Sequence, residues 1–326
     1  MIGYTIFGES HGPSIGVVMT GLPSGLELDM EAVGLEMARR APGRDKTSTP
    51  RKEADAVEIL SGLFEGKTTG TPLCARIANT DTRSRDYSKL KDCPRPSHGD
   101  YTASVRYGGF ADYRGGGHFS GRLTAPLVFA GAVAKQILAQ RGITVESRID
   151  LLGGVANPTA EQIEEIILAA KADADSVGGA VRCTVSGVPA GFGAPDLGEN
   201  AEGIFAKHMF AVPGVKGIEF GAGFGFASMR GSEANDPFVM DGDAVRTLTN
   251  HAGGINGGIT NGMPLVFRVA MRPTPSIGKP QQTVSLSNHT NETLTVEGRH
   301  DPCIVKRALP VLEAAAALAV CEIMGV

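Results

Sequence analysis

Apolar residues recur along this chain with two periods, one of two residues and one near three and a half, and the stretches that carry them alternate. Runs that are β-branched or alternating predict strands at Val17–Met19, Val57–Phe64, Pro72–Ile77, Val181–Val188, Val215–Phe220 and Leu265–Met271. Val17–Met19 and Leu26–Leu28 flank Gly21–Gly25 and read as a hairpin, and Val57–Phe64 reads as the partner of Pro72–Ile77 around Gly66–Gly70. Helical spacing takes over between them. Asp29 is the N-cap of a helix that carries Val33 and Met37 to Arg40, and Thr159–Ala172 is amphipathic, with Thr159 as cap and Gln162 in the capping-box position. Gly203–Phe210 also reads as a helix. Leu123–Leu138 is apolar on nearly every side, and so is the last helix, which places both in the core. The last helix is expected to start from Asp301 as N-cap and Pro302 as N1, to run through Cys303–Ile323, and to kink at Pro310. No strict repeat and no linker interrupts this alternation, so residues 1–326 form one α+β domain.

Composition removes several classes of function. The chain has 326 residues, 42% of them hydrophobic, which suffices for a large core, and a net charge of −4, which gives no global field for nucleic acid or an anionic membrane. The apolar stretches are broken by Pro126, Lys135, Pro310 and Glu313 and fall short of the roughly 20 residues of a membrane span. MIGYTIFGESHG lacks the features of a secretory signal, so a cytoplasmic location is expected. The five cysteines contain no C-x-x-C pair, as in a reducing compartment, and neither H-E-x-x-H nor a Cys/His pair at ligand spacing occurs, so no metal site is expected. Forty-four glycines, gathered at 108–109, 115–117, 221–225 and 253–258, mark loops where backbone turns sharply or lies against a ligand. Six Arg or Lys residues between Arg39 and Lys52 read as a loop that an anion would order.

Three segments carry candidate chemistry. They are Gly8-Glu9-Ser10-His11-Gly12; Gly117-His118-Phe119-Ser120-Gly121-Arg122-Leu123-Thr124, embedded in RPSHGDYTASVRYGGFADYRGGGHFSGRLTA; and Arg299-His300-Asp301-Pro302-Cys303, leading to Leu312-Glu313-Ala314. The first satisfies G-x-S-x-G, but the residues after it read as strand where a nucleophile elbow needs a helix, which argues against a serine hydrolase. Gly221-Ala222-Gly223-Phe224-Gly225 follows a strand, yet its third glycine is one position early and no helix follows, so a dinucleotide fold is rejected.

Together the three segments resemble the signatures of chorismate synthases. The text between them is similar too: SGLFEGKTTGTP, NTDTRSRDY, DSVGG, GVPAGFG, VKGIEFGAGF, GSEAND and GGINGGITNGMP occur in the family's order from residue 3 to about 320. The resemblance implies a β-α-β sandwich with helices buried between antiparallel sheets. It also implies a lyase that uses reduced FMN in an anti-1,4-elimination of phosphate from 5-enolpyruvylshikimate 3-phosphate, a homotetramer, and either NADPH or a separate reductase as the source of flavin electrons. The alternative is a flavin- or phosphate-binding relative that has lost catalysis. The family's acid–base residues fall on His11, His98 and Asp301: His11 protonates the departing phosphate, His98 stabilises charge on the reduced flavin, and Asp301 manages the proton of the ring hydrogen. Cofactor contacts carry over to His118, Phe119, Ser120, Pro213, Gly214, Gly257, Arg272, Pro273, Thr274, Pro275, Ser276 and Arg299. Ser10, Arg40, Lys46, Arg95 and Arg122 are the candidates for substrate phosphate or NADPH. Many members have Arg where this chain has His118, and Ala where it has Gly99, and the stretch between Asp150 and Thr159 is short.

Overall fold

Two antiparallel sheets enclose a layer of helices in the computed structural model, which describes residues 1–43, 46–47, 55–80, 89–296 and 301–326. The first sheet is built from Gly3–Gly8 (β1), Ser14–Thr20 (β2), Val57–Ser61 (β3) and Leu73–Ala78 (β4) in the order β1-β2-β4-β3. The second uses Thr144–Leu152 (β5), Gly179–Ser186 (β6), Val215–Phe220 (β7) and Leu265–Met271 (β8) in the order β7-β8-β6-β5, with Val155–Ala156 at its edge. The described α-helices of seven residues or more are Met30–Arg40 (α1), Asp100–Arg106 (α2), Thr124–Ala139 (α3), Ala160–Ala172 (α4), Ala201–Phe210 (α5) and Val305–Ile323 (α6).

Strand register gives each sheet one apolar face. Ile15, Val17 and Met19 of β2 lie opposite Ile77, Ala75 and Leu73 of β4, and all six are buried. In the second sheet Val181, Cys183 and Val185 face Val269, Phe267 and Leu265 in the same way. Helices α3 and α6 fill the space between, α3 touching β1, β2 and β4 on one side and β5 on the other. Their backbones approach so closely that a methyl group on Gly131 would collide with Ala314. Each large side chain buried here contributes about 1.5–3 kcal/mol by leaving water.

The one charge in the middle of α6 is compensated from three directions. Glu313 is 2% exposed and accepts from Arg39 of α1 (2.7 Å to each oxygen), Lys135 of α3 (2.6 Å) and Ser147 of β5 (2.7 Å). Burial alone would raise its pKa, but these bonds outweigh burial and hold it below the usual range.

Most of the expected elements are present, including the Asp29 cap (2.9 Å to the Ala32 N–H) and the Thr159–Gln162 capping box. Two local readings change, and one strand, β5, was not among those expected. β2 does not pair with Leu26–Leu28, because β1 and β4 take its two edges, and Glu27 bridges Lys67 instead. The last helix starts at Val305, so Asp301 is not its cap; the Asp301 carboxylate pairs with Arg307 one turn into the helix. β5 had no clean alternation to read, since its inward position 147 is a serine that serves Glu313.

Candidate functional site

Gly8 closes β1 with φ of 97°, a value suited to glycine, and the chain folds back over residues 115–118. The Ser10 N–H donates to the Gly117 carbonyl (3.1 Å) and His118 Nδ1–H donates to the Gly8 carbonyl (2.8 Å). Gly115, Gly116 and Gly117 have φ of 60°, 84° and 53°, and what surrounds them explains why no side chain stands there. A methyl on Gly115 would strike the His11 ring and come within 2.9 Å of Ser10 Oγ; one on Gly116 would lie 3.1 Å from His98 Cε1 and 3.3 Å from Nε2. The two imidazoles therefore flank consecutive glycines whose Cα atoms are about 3.8 Å apart. Ser10 is buried, and its Oγ has no hydrogen-bond partner among the described residues.

His98 is aimed by its own loop. Its Nδ1 lies 2.6 Å from Asp100 Oδ1, at the start of α2, while Asp100 also accepts from the Arg95 backbone N–H (3.0 Å), Nε (2.8 Å) and Nη2 (2.8 Å). Burial pushes the Asp100 carboxyl up, but the bonds from Arg95 and His98 win and hold it well below the usual carboxylate range.

Arg95 and Arg272 lead from this loop to Asp301. Arg95 Nη1 donates to Ser276 Oγ (3.0 Å), the Arg272 guanidinium donates to the Ser97 carbonyl, and the Arg272 N–H donates to the Gly214 carbonyl (2.9 Å). Thr274 Oγ1 then donates to the Asp301 carbonyl (2.8 Å). Asp301 closes the circuit through Arg307, whose Nε donates to the Arg40 carbonyl (3.1 Å).

A cavity of about 690 Å³ opens beside His98, within the usual size of small-molecule sites. His118, Phe119, Pro213, Gly214 and Arg272 line it, as does Lys216, with Ile6, Leu123, Leu127 and Val212 as apolar wall. Burial lowers the Arg272 pKa from its ordinary value. Phe119 has room because Gly99 lacks a side chain: a methyl there would come within 3.2 Å of the ring.

Other expected residues lie elsewhere. Ser120 Oγ caps the turn that follows it, accepting from the Arg122 N–H (3.3 Å). Pro273, Thr274, Pro275 and Ser276 are absent from the cavity wall, and the chain there is held by Arg95 and by Ser176 Oγ on the Thr274 carbonyl (2.7 Å). Gly257 turns the hairpin beside the N-terminus of α5, whereas the cavity touches Phe210 at the other end of that ten-residue helix, about 15 Å away. Arg299 lies outside the described residues, as does half of the basic stretch 39–52; Lys46 is exposed, with its carbonyl accepting from Lys171 (3.1 Å).

Arg40 and Arg122 are occupied by the protein itself. Arg40 donates to Asp55 (2.7 Å), Thr124 Oγ1 (3.1 Å) and the Gly121 carbonyl (3.0 Å); Arg122 donates to Asp55, Asn79 Oδ1 (3.1 Å) and the Ala78 carbonyl (3.3 Å). The side chains are 3% and 4% exposed, and burial, followed by the nearby Arg307 charge, lowers the Arg40 pKa to about 10. Sequence reasoning missed Asp55, Asp100 and Lys216. Asp100 had a signal, since His-Gly-Asp places a carboxylate two residues from an imidazole, but Asp55 had none, its role arising from contacts 15 and 67 residues away.

The nucleophile-elbow geometry is not formed, because strand β2 follows the Gly8–Gly12 segment. Comparison with known proteins points one way. The family model described as chorismate synthase matches residues 2–324. A chorismate synthase of Chitinophaga pinensis is 50% identical, covering 98% of this chain and 93% of its own length, and one of Thermococcus kodakarensis is 45% identical over 99% and 95%. A crystal structure of chorismate synthase, 27% identical, superposes with a TM-score of 0.76 over 99% of this chain and 91% of its own.

Proposed function

The chain belongs to the chorismate synthase family, and on that footing we propose that the cavity beside His98 holds reduced FMN against the phosphorylated enolpyruvyl substrate. Membership makes the chain a carbon–oxygen lyase of the shikimate pathway acting on a small molecule. No described helix is long and apolar enough to cross a membrane.

The lining suits the cofactor. Apolar side chains and the Phe119 ring fit a flat aromatic system, and Arg272 and Lys216 fit its phosphate. Reduced flavin supplies the transient electron density that lets an unactivated ring C–H be broken. The remaining work falls to the chain. His11 delivers a proton to the phosphate oxygen as the C–O bond breaks, and the partnerless Ser10 Oγ beside it donates to the same group. His98 would stabilise charge on the bound reduced flavin, and Asp301 would take up the proton of the substrate's ring hydrogen. Arg40, Arg122 and Asp55 brace this wall from behind.

The reading rests most on two imidazoles packed against consecutive glycines, one of them, His98, lining the cavity. The chain acts in the cytoplasm as a homotetramer, and a separate reductase or NADPH reduces the flavin. Anaerobic assay of the purified protein with the enolpyruvyl phosphate and chemically reduced FMN is expected to release chorismate, seen by its absorbance. FMN with NADPH, run in parallel, tests self-reduction. No chorismate in either arm sinks the reading.

A further inference from the structure

We infer that Asp100 is the positioning residue of the reaction: it fixes His98 in the tautomer with the proton on Nδ1 and leaves Nε2 as the nitrogen that works in the cavity. The inference rests on the lyase reading above, but its geometry stands separately.

Both atoms of the pair are shielded, the Asp100 side chain being 5% and the His98 side chain 14% exposed, and Nδ1 lies 2.6 Å from Oδ1. Arg95 Nη2 also approaches Nδ1 (3.1 Å), but a guanidinium has no lone pair to offer and already donates to Oδ1 at 2.8 Å. An unprotonated Nδ1 would set its lone pair against that of Oδ1 at 2.6 Å, so Nδ1 carries hydrogen and donates it to the carboxylate. That leaves Nε2, 3.3 Å from where a methyl of Gly116 would sit, as the nitrogen His98 can offer to the cavity it lines.

The carboxylate is held so that it can do this. Arg95 engages it through its backbone N–H, Nε and Nη2, and Arg95 is itself fixed by Ser276. Asp100 thus has one ionic partner that neutralises it and one imidazole that it orients. A buried carboxylate behind a working histidine selects the tautomer, holds the ring plane and favours the protonated ring when it forms.

A double-mutant cycle on the full chain tests this. Asp100→Asn is expected to lower kcat roughly 10- to 100-fold while the KM for the enolpyruvyl phosphate stays within about 3-fold. In a His98→Ala background the same change is expected to alter kcat by less than about 3-fold, because the residue acts through the ring that has been removed. An equal loss in both backgrounds, or an unchanged kcat in the single variant, overturns the inference. Solid-state ¹⁵N NMR of histidine-labelled protein reads the tautomer without any turnover: His98 is expected to be protonated at Nδ1 in the parent and to redistribute in Asp100→Asn. An unprotonated Nδ1 in the parent overturns the inference even if the protein proves inactive, whereas inactivity with the expected tautomer counts against the lyase reading alone. Should Asp100→Asn not fold, Asp100→Glu, which displaces the carboxylate, is held to the same outcomes.

Discussion

Two buried carboxylates near the cavity have the same construction and opposite consequences. Asp55 joins the guanidiniums of Arg40 and Arg122; Asp100 joins the guanidinium of Arg95 and the imidazole of His98. In the first cluster every guanidinium nitrogen of Arg40 and Arg122 meets a protein acceptor, so it braces α1, α3 and the first sheet. In the second, one partner is a ring with two nitrogens, of which the carboxylate holds one, on a residue that lines the cavity. A buried ion pair becomes chemistry when one member keeps a polar atom on the open side.

The sharpest way to break this contrast is Asp55→Asn, which leaves two buried guanidiniums without their counter-charge. It is expected to remove about 3–5 kcal/mol of stability by urea denaturation. A smaller loss would mean that the cluster is solvated and able to take a ligand. Gly115→Ala is next: it places a methyl against His11 at φ of 60°, with strain of order 1–3 kcal/mol. Its kcat is expected to fall at least 10-fold with the fold retained on circular dichroism, and full activity would show that His11 need not sit where it does.

The smallest effect concerns acid. Asp55 and Asp100 both titrate below their ordinary value of 3.8 in the folded chain. Their contribution is therefore complete above that pH and is lost as pH falls through the depressed native values. Urea midpoints are expected to show their loss only below about pH 4, with a shallower fall in Asp55→Asn. An equal slope in the variant would remove Asp55 from the account.

The chain's local text was largely legible. Periodicity alone marked α3 and α6 as buried, since neither has a polar face, and Asp29 and Thr159 marked their helix starts, because capping is settled within four residues. β1 was missed, as its glycine ends and half-buried pattern carry no alternation, and Asp301 was misread as a cap because its partner Arg307 lies one turn beyond. His11 and His98 stood out through motif resemblance and not through any property of a lone histidine.

What the sequence determined by itself was the alternation of elements, the core helices and the family, all of which depend on residues near one another or on their order. Which arginines reach the cavity emerged only from the folded chain. Arg40 and Arg122 sit in the same basic, glycine-rich text as Arg272, but a guanidinium's availability depends on which acceptors the fold brings to it, and Asp55, Asn79 and Gly121 arrive from distant parts of the chain.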